Sequence, residues 1–204
     1  MPKKVDHQQR RAQIAEAVCR LAGRQGLDAV TLRQVAAEAG VSMGRVQHYF
    51  TTKDEMLLFA FHTISEQVER RIAAAMTALG DSPAPRDMLR ALLLEMLPLS
   101  EPAKAEAPVL AAFLARAVVE PGLTGSQHED SVRLREFVAG HLPATQGDPL
   151  LEAVGLLALV DGLMSQLLIG HTDEETALAA LDYHLDRIFG SAHAARRTKS
   201  APTN

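Results

Sequence analysis

The chain has 204 residues, 47% of them hydrophobic, and a formal charge of −4, which supplies a real core and excludes a disordered, collagen-like or disulfide-stapled protein. Its one cysteine, Cys19, can make no disulfide within the chain, and its setting among Ile14, Ala15, Val18 and Ala22 reads as core packing in a reducing, cytoplasmic compartment. The charge is uneven: residues 1–55 hold nine Lys/Arg against six Asp/Glu, while residues 56–204 hold twelve against nineteen. A basic end on an acidic chain suits a nucleic-acid binder, because phosphate attraction is local and screened within about 10 Å at 0.1 M salt.

In chain order, MPKKVDHQQRR is basic but has no apolar run behind it, so it does not read as a signal peptide. Apolar spacing and caps predict helices over 7–24, 31–38, 42–48, 52–79, 83–97, 102–120, 126–142, 148–170 and 173–190, with no strand signals, giving an all-α fold of about nine helices. Thr31 with Gln34, Thr52 with Glu55, Ser126 with Glu129 and Thr172 with Glu175 fit the capping box, in which two side chains satisfy orphan backbone N–H groups reciprocally. Ser82-Pro83 and Asp148-Pro149 fit a cap followed by a proline in the first turn. The longest apolar segment, 150–170, carries Glu152 and Asp161. An aspartate at a membrane centre costs roughly 2.5–3.5 kcal/mol, so the segment reads as a buried helix of a soluble protein and no membrane partner is expected. The stretch SAHAARRTKSAPTN, 191–204, reads as a disordered tail.

The segment TLRQVAAEAGVSMGRVQHYFTTKDEML, Thr31 to Leu57, carries most of the information. Val35, Ala36 and Ala39 form the inner face of one short helix, Gly40-Val41 makes a turn, and Ser42 caps a second helix whose inner residues are Val46 and Phe50. Two helices this short cannot bury themselves and must lean on the first, which makes a three-helix helix–turn–helix domain with its second motif helix suited to a DNA major groove. The chain reverses within three or four residues, and Gly40 accepts the positive φ that such a turn often requires.

With its glycine–valine turn, Tyr49-Phe50 pair and following Lys53, this segment resembles the DNA-binding part of the TetR family of bacterial transcriptional regulators over residues 10–60. VDGL at 160–163 and LDYHLDRIF at 181–189 resemble the choline-responsive BetI-type subgroup of that family. The resemblance implies a homodimeric, ligand-responsive repressor on a palindromic double-stranded DNA operator, released by a small molecule. It implies three parts: a helix–turn–helix domain over 1–51, a ligand-binding and dimerisation domain over 52–190, and the tail over 191–204. Members commonly carry Thr or Ser where Arg45 stands and Tyr where Gln47 stands, so the operator does not transfer from relatives.

Arg45 and Gln47 fall on the outer face of the second motif helix, with donors suited to guanine and adenine edges. Thr31, Ser42, Tyr49 and Lys53 sit where hydroxyls and an ammonium would hold phosphates and fix register. Arg33 fits either role, Met43 lies in the first turn of the same helix, and His48 fits a phosphate contact or packing between helices. Gly44 costs a short helix up to about 1 kcal/mol relative to alanine, which points to a close approach of backbone or DNA.

In the second half, Met88, Leu92, Met96, Phe113, Phe137 and Met164 read as core or as the lining of a mostly apolar effector site. Arg116, Gln166 and Asp161 are the polar groups able to orient a ligand; a buried Asp161 or Arg116 is equally a structural group with its own partner. Apolar rows on more than one face of 148–170 and 173–190 call for a partner copy, with Gly155 or Gly162 allowing close approach. The eight histidines show no metal-ligand spacing, and neither a nucleophile elbow nor a phosphate-cradling glycine loop is present, so no enzyme activity, metal or cofactor is expected. An activator, a co-repressor-dependent regulator, a helical small-molecule-binding protein or enzyme, and a protein-interaction module are the alternative readings.

Overall fold

A computed structural model of the chain describes residues 2–26, 29–119, 125–143 and 147–190; the expected tail at 191–204 lies outside them. Among the described residues there are nine helices and no strand: α1 (Pro2–Gln25), α2 (Leu32–Glu38), α3 (Met43–Tyr49), α4 (Lys53–Ala78), α5 (Pro85–Glu95), α6 (Glu101–Val119), α7 (Gly125–Gly140), α8 (Pro149–Leu168) and α9 (Glu174–Phe189). The all-α architecture is the one the periodicity predicts.

The caps show why the helices begin where they do. At Thr31 the capping box is complete: Gln34 N–H donates to Thr31 Oγ1 and Thr31 N–H donates to Gln34 Oε1. At α4 the box slips by one residue, since Glu55 N–H donates to Thr52 Oγ1 but the Glu55 carboxylate accepts from Thr51 N–H. Asp148 caps α8 by accepting from Leu150 N–H, with Pro149 in the first turn. Two predicted starts are corrected. Helix α9 is capped by Asp173 rather than Thr172, its carboxylate accepting from Thr176 N–H at 2.7 Å; a charged acceptor makes a stronger cap bond than a hydroxyl. Helix α5 starts at Pro85 rather than Pro83, because a residue before proline is pushed out of the α region, and Ala84 is extended at φ −64°, ψ 141°. The side chain of Ser126 lies outside the described residues.

The chain packs as two compact units. The first comprises residues 1–71 and 100–124, and the second 72–99 and 125–204. Helix α4 is shared, its residues to Arg71 belonging to the first unit and those from Ile72 to the second. The packing units therefore differ from the functional division at 51/52 expected from the sequence, and α6 packs with the helix–turn–helix part.

In the first unit, Ile14, Val18 and Leu21 of α1 pack with Val35 and Ala36 of α2, Val46 of α3, Phe50, Met56 and Ala60 of α4, and Val109 of α6. Cys19 packs against this cluster; burial, with Glu106 and Glu16 nearby, pushes its thiol up to about 12, so it is an inert packing group. Gly40 turns the chain between α2 and α3 at φ +65°, with Val41 N–H donating to Ala36 O. An L-residue in this region costs about 1–2 kcal/mol. Gly40→Ala is therefore expected to lower unfolding stability by about that amount, read by denaturant titration; an unchanged midpoint would count against the turn's role.

In the second unit, Leu89, Leu92, Leu93 and Leu97 pack with Val138 and Leu142 of the α7 region, Ala153, Leu156, Val160 and Met164 of α8, and Leu181 and Leu185 of α9. The 150–170 segment, read as a buried helix, is buried only in part within the chain, as its apolar rows on more than one face require. Helix α8 buries one face, while Leu151 is 68% exposed and Leu150 and Val154 lie open with it. Apolar residues surround this helix, and the unit offers a surface for only part of that circumference.

Candidate nucleic-acid interface and effector half

Helix α3 has seven residues, two turns, and is held by very little. Val46 is its one buried residue, and Phe50 at its C-cap is fully buried. A helix of this length has no independent stability, so these anchors set its orientation. Everything else expected to touch DNA lies outward: Met43, Gly44, Arg45, Gln47 and His48 are exposed, and Tyr49 is half-buried against the core. Ser42 Oγ accepts from Arg45 N–H at 3.2 Å, which leaves its hydroxyl proton for a phosphate oxygen.

Thr31, expected to hold phosphate, is exposed, but its hydroxyl donates to Gln34 Oε1 at 2.7 Å; a phosphate there would compete with Gln34 for that proton. Arg33 and Arg45 are exposed and make no ion pair among the described residues. Lys53 is half-buried as the first residue of α4. A Cβ added at Gly44 would meet nothing within 4 Å, so the protein itself does not demand glycine at that position.

The motif is braced from behind. Arg20 Nε of α1 donates to Glu38 of α2 at 2.7 Å and Arg24 reaches the same carboxylate at 3.2 Å. The Arg20 hydrogen bond, aided by the charge of Arg24, holds the Glu38 carboxyl below its ordinary value. With a depressed native pKa, the contribution is present above the ordinary glutamate range and is lost as pH falls through the native pKa. Glu38→Gln should thus lower the melting temperature slightly at neutral pH and leave no difference from wild type in acid; a gap that persisted in acid would exclude the ion pair as its source.

Three aromatic and charged groups meet behind the end of α3. Phe50 lies 5.4 Å from Phe59 of α4, centroid to centroid, and the Arg11 guanidinium of α1 stands 4.3 Å from the Phe59 ring and 5.2 Å from Phe50. Sequence reasoning did not single out Arg11. Its signal was available, since Arg11, Ile14, Val18 and Leu21 recur at helical spacing, and a charge in the register of a buried stripe needs a reason. Further along the first unit, Arg71 of α4 makes two hydrogen bonds to the buried Glu106 of α6, at 3.2 and 2.9 Å, and Phe61 stacks on Phe113 at 4.0 Å.

This frame matches known proteins in both parts. Residues 14–59 match the tetR family of bacterial regulatory proteins, and residues 85–190 match the C-terminal domain of BetI-type transcriptional repressors. The chain belongs to the TetR family and is a transcriptional regulator. It is 38% identical to the regulator PksA of Bacillus subtilis over 168 residues, 80% of each chain. It is 33% identical to the regulator BetI of Burkholderia thailandensis over 199 residues, covering 93% of this chain and 98% of that one. A crystal structure of a Rhodococcus transcriptional regulator, 32% identical, superposes with a TM-score of 0.77 over 87% of this chain and 95% of that one.

The effector candidates of this TetR-family chain fall in both units. Leu92 and Met164 are buried in the second unit's core, Met96 packs against it, Met88 is half-buried and Phe137 is 39% exposed. Phe113 belongs to the first unit, and the side chain of Arg116 lies outside the described residues. Asp161 was expected to be buried and is exposed, as is Gln166, because both fall on the outward face of α8; partial desolvation nevertheless raises the Asp161 carboxyl. A groove of about 600 Å³ does lie between α8 and α9, lined by Glu152, Gly155, Leu156, His184, Asp186 and Arg187 among others. None of the expected effector residues lines it.

Sequence reasoning also missed the polar network of the second unit. Arg86 of α5 is only 3% exposed and donates to Asp186 at 2.7 Å and Asp182 at 3.1 Å, both on α9, while Arg90 grips Asp182 with two further bonds at 2.7 and 3.0 Å. Desolvation works against the Asp182 charge, but the hydrogen bonds and charges of Arg90 and Arg86 outweigh it and hold the carboxyl below its ordinary value.

Proposed function

We propose that the protein is a repressor without enzymatic activity that binds a palindromic operator as a homodimer in the cytoplasm and is released by a small, mostly apolar effector. The observation that supports DNA reading best is the outward face of α3, where Arg45 and Gln47 stand exposed on a helix anchored by the buried Val46 and Phe50. Arg45 and Gln47 read base edges. Ser42, Tyr49, Lys53, His48, Thr31 and Arg33 position the motif on phosphates, and Met43 and Gly44 face the groove. The match of the C-terminal half to BetI-type repressors favours repression over activation. Salt-titrated binding to a duplex containing the protein's own promoter tests this reading: tight binding that weakens steeply with salt supports it, and binding equal to that of an unrelated duplex refutes it.

The second copy covers the outward face of α8 and α9. Leu151, Val154, Gly155, Ala158 and Gly162 recur along the open side of α8 at helical spacing, and the small residues let two helices approach closely in a four-helix bundle about a two-fold axis. Light scattering at micromolar concentration should give a dimer, and Leu151→Arg should give a monomer that loses most operator affinity. A wild-type monomer with operator binding intact would rule the arrangement out.

The effector belongs to the second unit, where Met88, Met96 and Phe137 offer partly open apolar surface beside the buried Leu92 and Met164, while Asp161 and Gln166, on the outward face of α8, would orient a ligand only at the seam with the second copy. Phe113 and Arg116 of α6 remain candidates from the first unit. A quaternary amine is disfavoured: the chain has no tryptophan and two tyrosines, of which Tyr49 sits on the reading helix and Tyr183 is 62% exposed on α9. Coupling would run along α4, which belongs to both units and carries Lys53 at its DNA end.

A further inference from the structure

We infer that Arg11 is a positioning residue for DNA reading, acting through Phe50 and Phe59; the inference rests on the reading of α3 as the DNA-contacting helix. Phe50 ends α3 and Phe59 lies in the second turn of α4, so the two rings join the helix that presents Arg45 and Gln47 to the helix that presents Lys53. Arg11 closes this pair from α1, its guanidinium against both ring faces at 4.3 and 5.2 Å. Its Nε is buried with no hydrogen-bond partner, and no ion pair to it occurs among the described residues.

An unsatisfied buried donor disfavours folding, and an apolar side chain of similar length would fill the same space without that cost. What the guanidinium adds is orientation: a planar cation is attracted to ring faces and fixes their tilt, where a flexible thioether would let them shift. With α3 only two turns long, the angle at Phe50 decides whether its base-reading side chains and the Lys53 ammonium meet DNA in register. Specific binding needs both sets of contacts at once. Non-specific binding is held by phosphates alone and tolerates the misalignment.

The test uses the full-length protein and three variants, Arg11→Met, Arg11→Lys and Phe59→Leu, measured on operator and random duplexes across a salt series, with melting temperatures alongside. Wild-type binding to the operator comes first; its absence would refute the DNA-reading assignment rather than the role of Arg11. Arg11→Met should lower operator affinity about tenfold, the scale of one desolvated cation–π contact, with random-duplex affinity and the salt slope unchanged. Arg11→Lys should recover part of the loss, and Phe59→Leu should give a similar loss that does not add to that of Arg11→Met in the double variant. A salt slope reduced by about one charge would show Arg11 to be a direct phosphate contact instead. Equal weakening on both duplexes, additive losses, or unchanged operator affinity would each overturn the inference, as would a loss accounted for by the drop in melting temperature.

Discussion

Arg45→Ala should weaken operator binding by about 1–3 kcal/mol and relax the preference at one base pair, whereas Lys53→Ala should weaken all duplexes nearly equally and flatten the salt dependence by about one charge. The contrast follows from position. Arg45 stands exposed on the outer face of α3 with no ion pair among the described residues, so its forked donors face outward. Lys53 opens α4 and is half-buried; on the proposed reading its ammonium meets phosphate rather than a base edge. Binding isotherms on the operator, on single-position variants of it and on random duplexes separate the two roles. Uniform, sequence-independent weakening by both substitutions would remove Arg45 from base reading.

Arg86→Met should destabilise the folded chain by about 1.5–3 kcal/mol, measured by denaturant titration. Breaking a wholly buried ion pair costs about 3–5 kcal/mol. The cost here is smaller because the side chain of Asp186 is 36% exposed and can be rehydrated, while Asp182 keeps Arg90. Adding Asp186→Asn to Arg86→Met should restore part of the loss, since it removes the carboxylate left without its partner. Stability unchanged in Arg86→Met would mean that packing alone holds α5 to α9.

Most of the fold was legible because helices announce themselves locally. Apolar spacing located the nine helices of the described residues, and side-chain chemistry located several of their caps, with Thr31 and Asp148 doing what their types allow. The misplaced starts of α5 and α9 came from choices between nearby competent residues, Pro83 or Pro85 and Thr172 or Asp173, which backbone sterics and acceptor charge decide. The outward face of α3 was legible for the same reason: in a two-turn helix with Val46 and Phe50 inward, Met43, Gly44, Arg45, Gln47 and His48 are left exposed, while Tyr49 leans partly on the core.

The rest was not, because it depends on which distant segments meet. Arg86 and Arg90 lie four apart on α5, and Asp182 and Asp186 four apart on α9, a matched spacing visible in the sequence; nothing local says that these two helices are neighbours. Asp161 shows the opposite error. A carboxylate within an apolar run reads as buried, but α8 is apolar on more sides than its own unit covers, and the carboxylate falls on the open side. The effector site is the least legible part, since core-forming and ligand-lining methionines have the same chemistry and differ only in what stands opposite them.

The most direct test of the central claim, that a dimer reads DNA through α3, is selection of bound sequences from a random duplex pool by the full-length protein. Wild type should enrich an imperfect palindrome whose two halves are read alike, and Arg45→Ala should enrich the same palindrome with one position per half-site degenerate. Enrichment of no sequence, or of a motif without two-fold symmetry that Arg45→Ala leaves unchanged, would contradict the account.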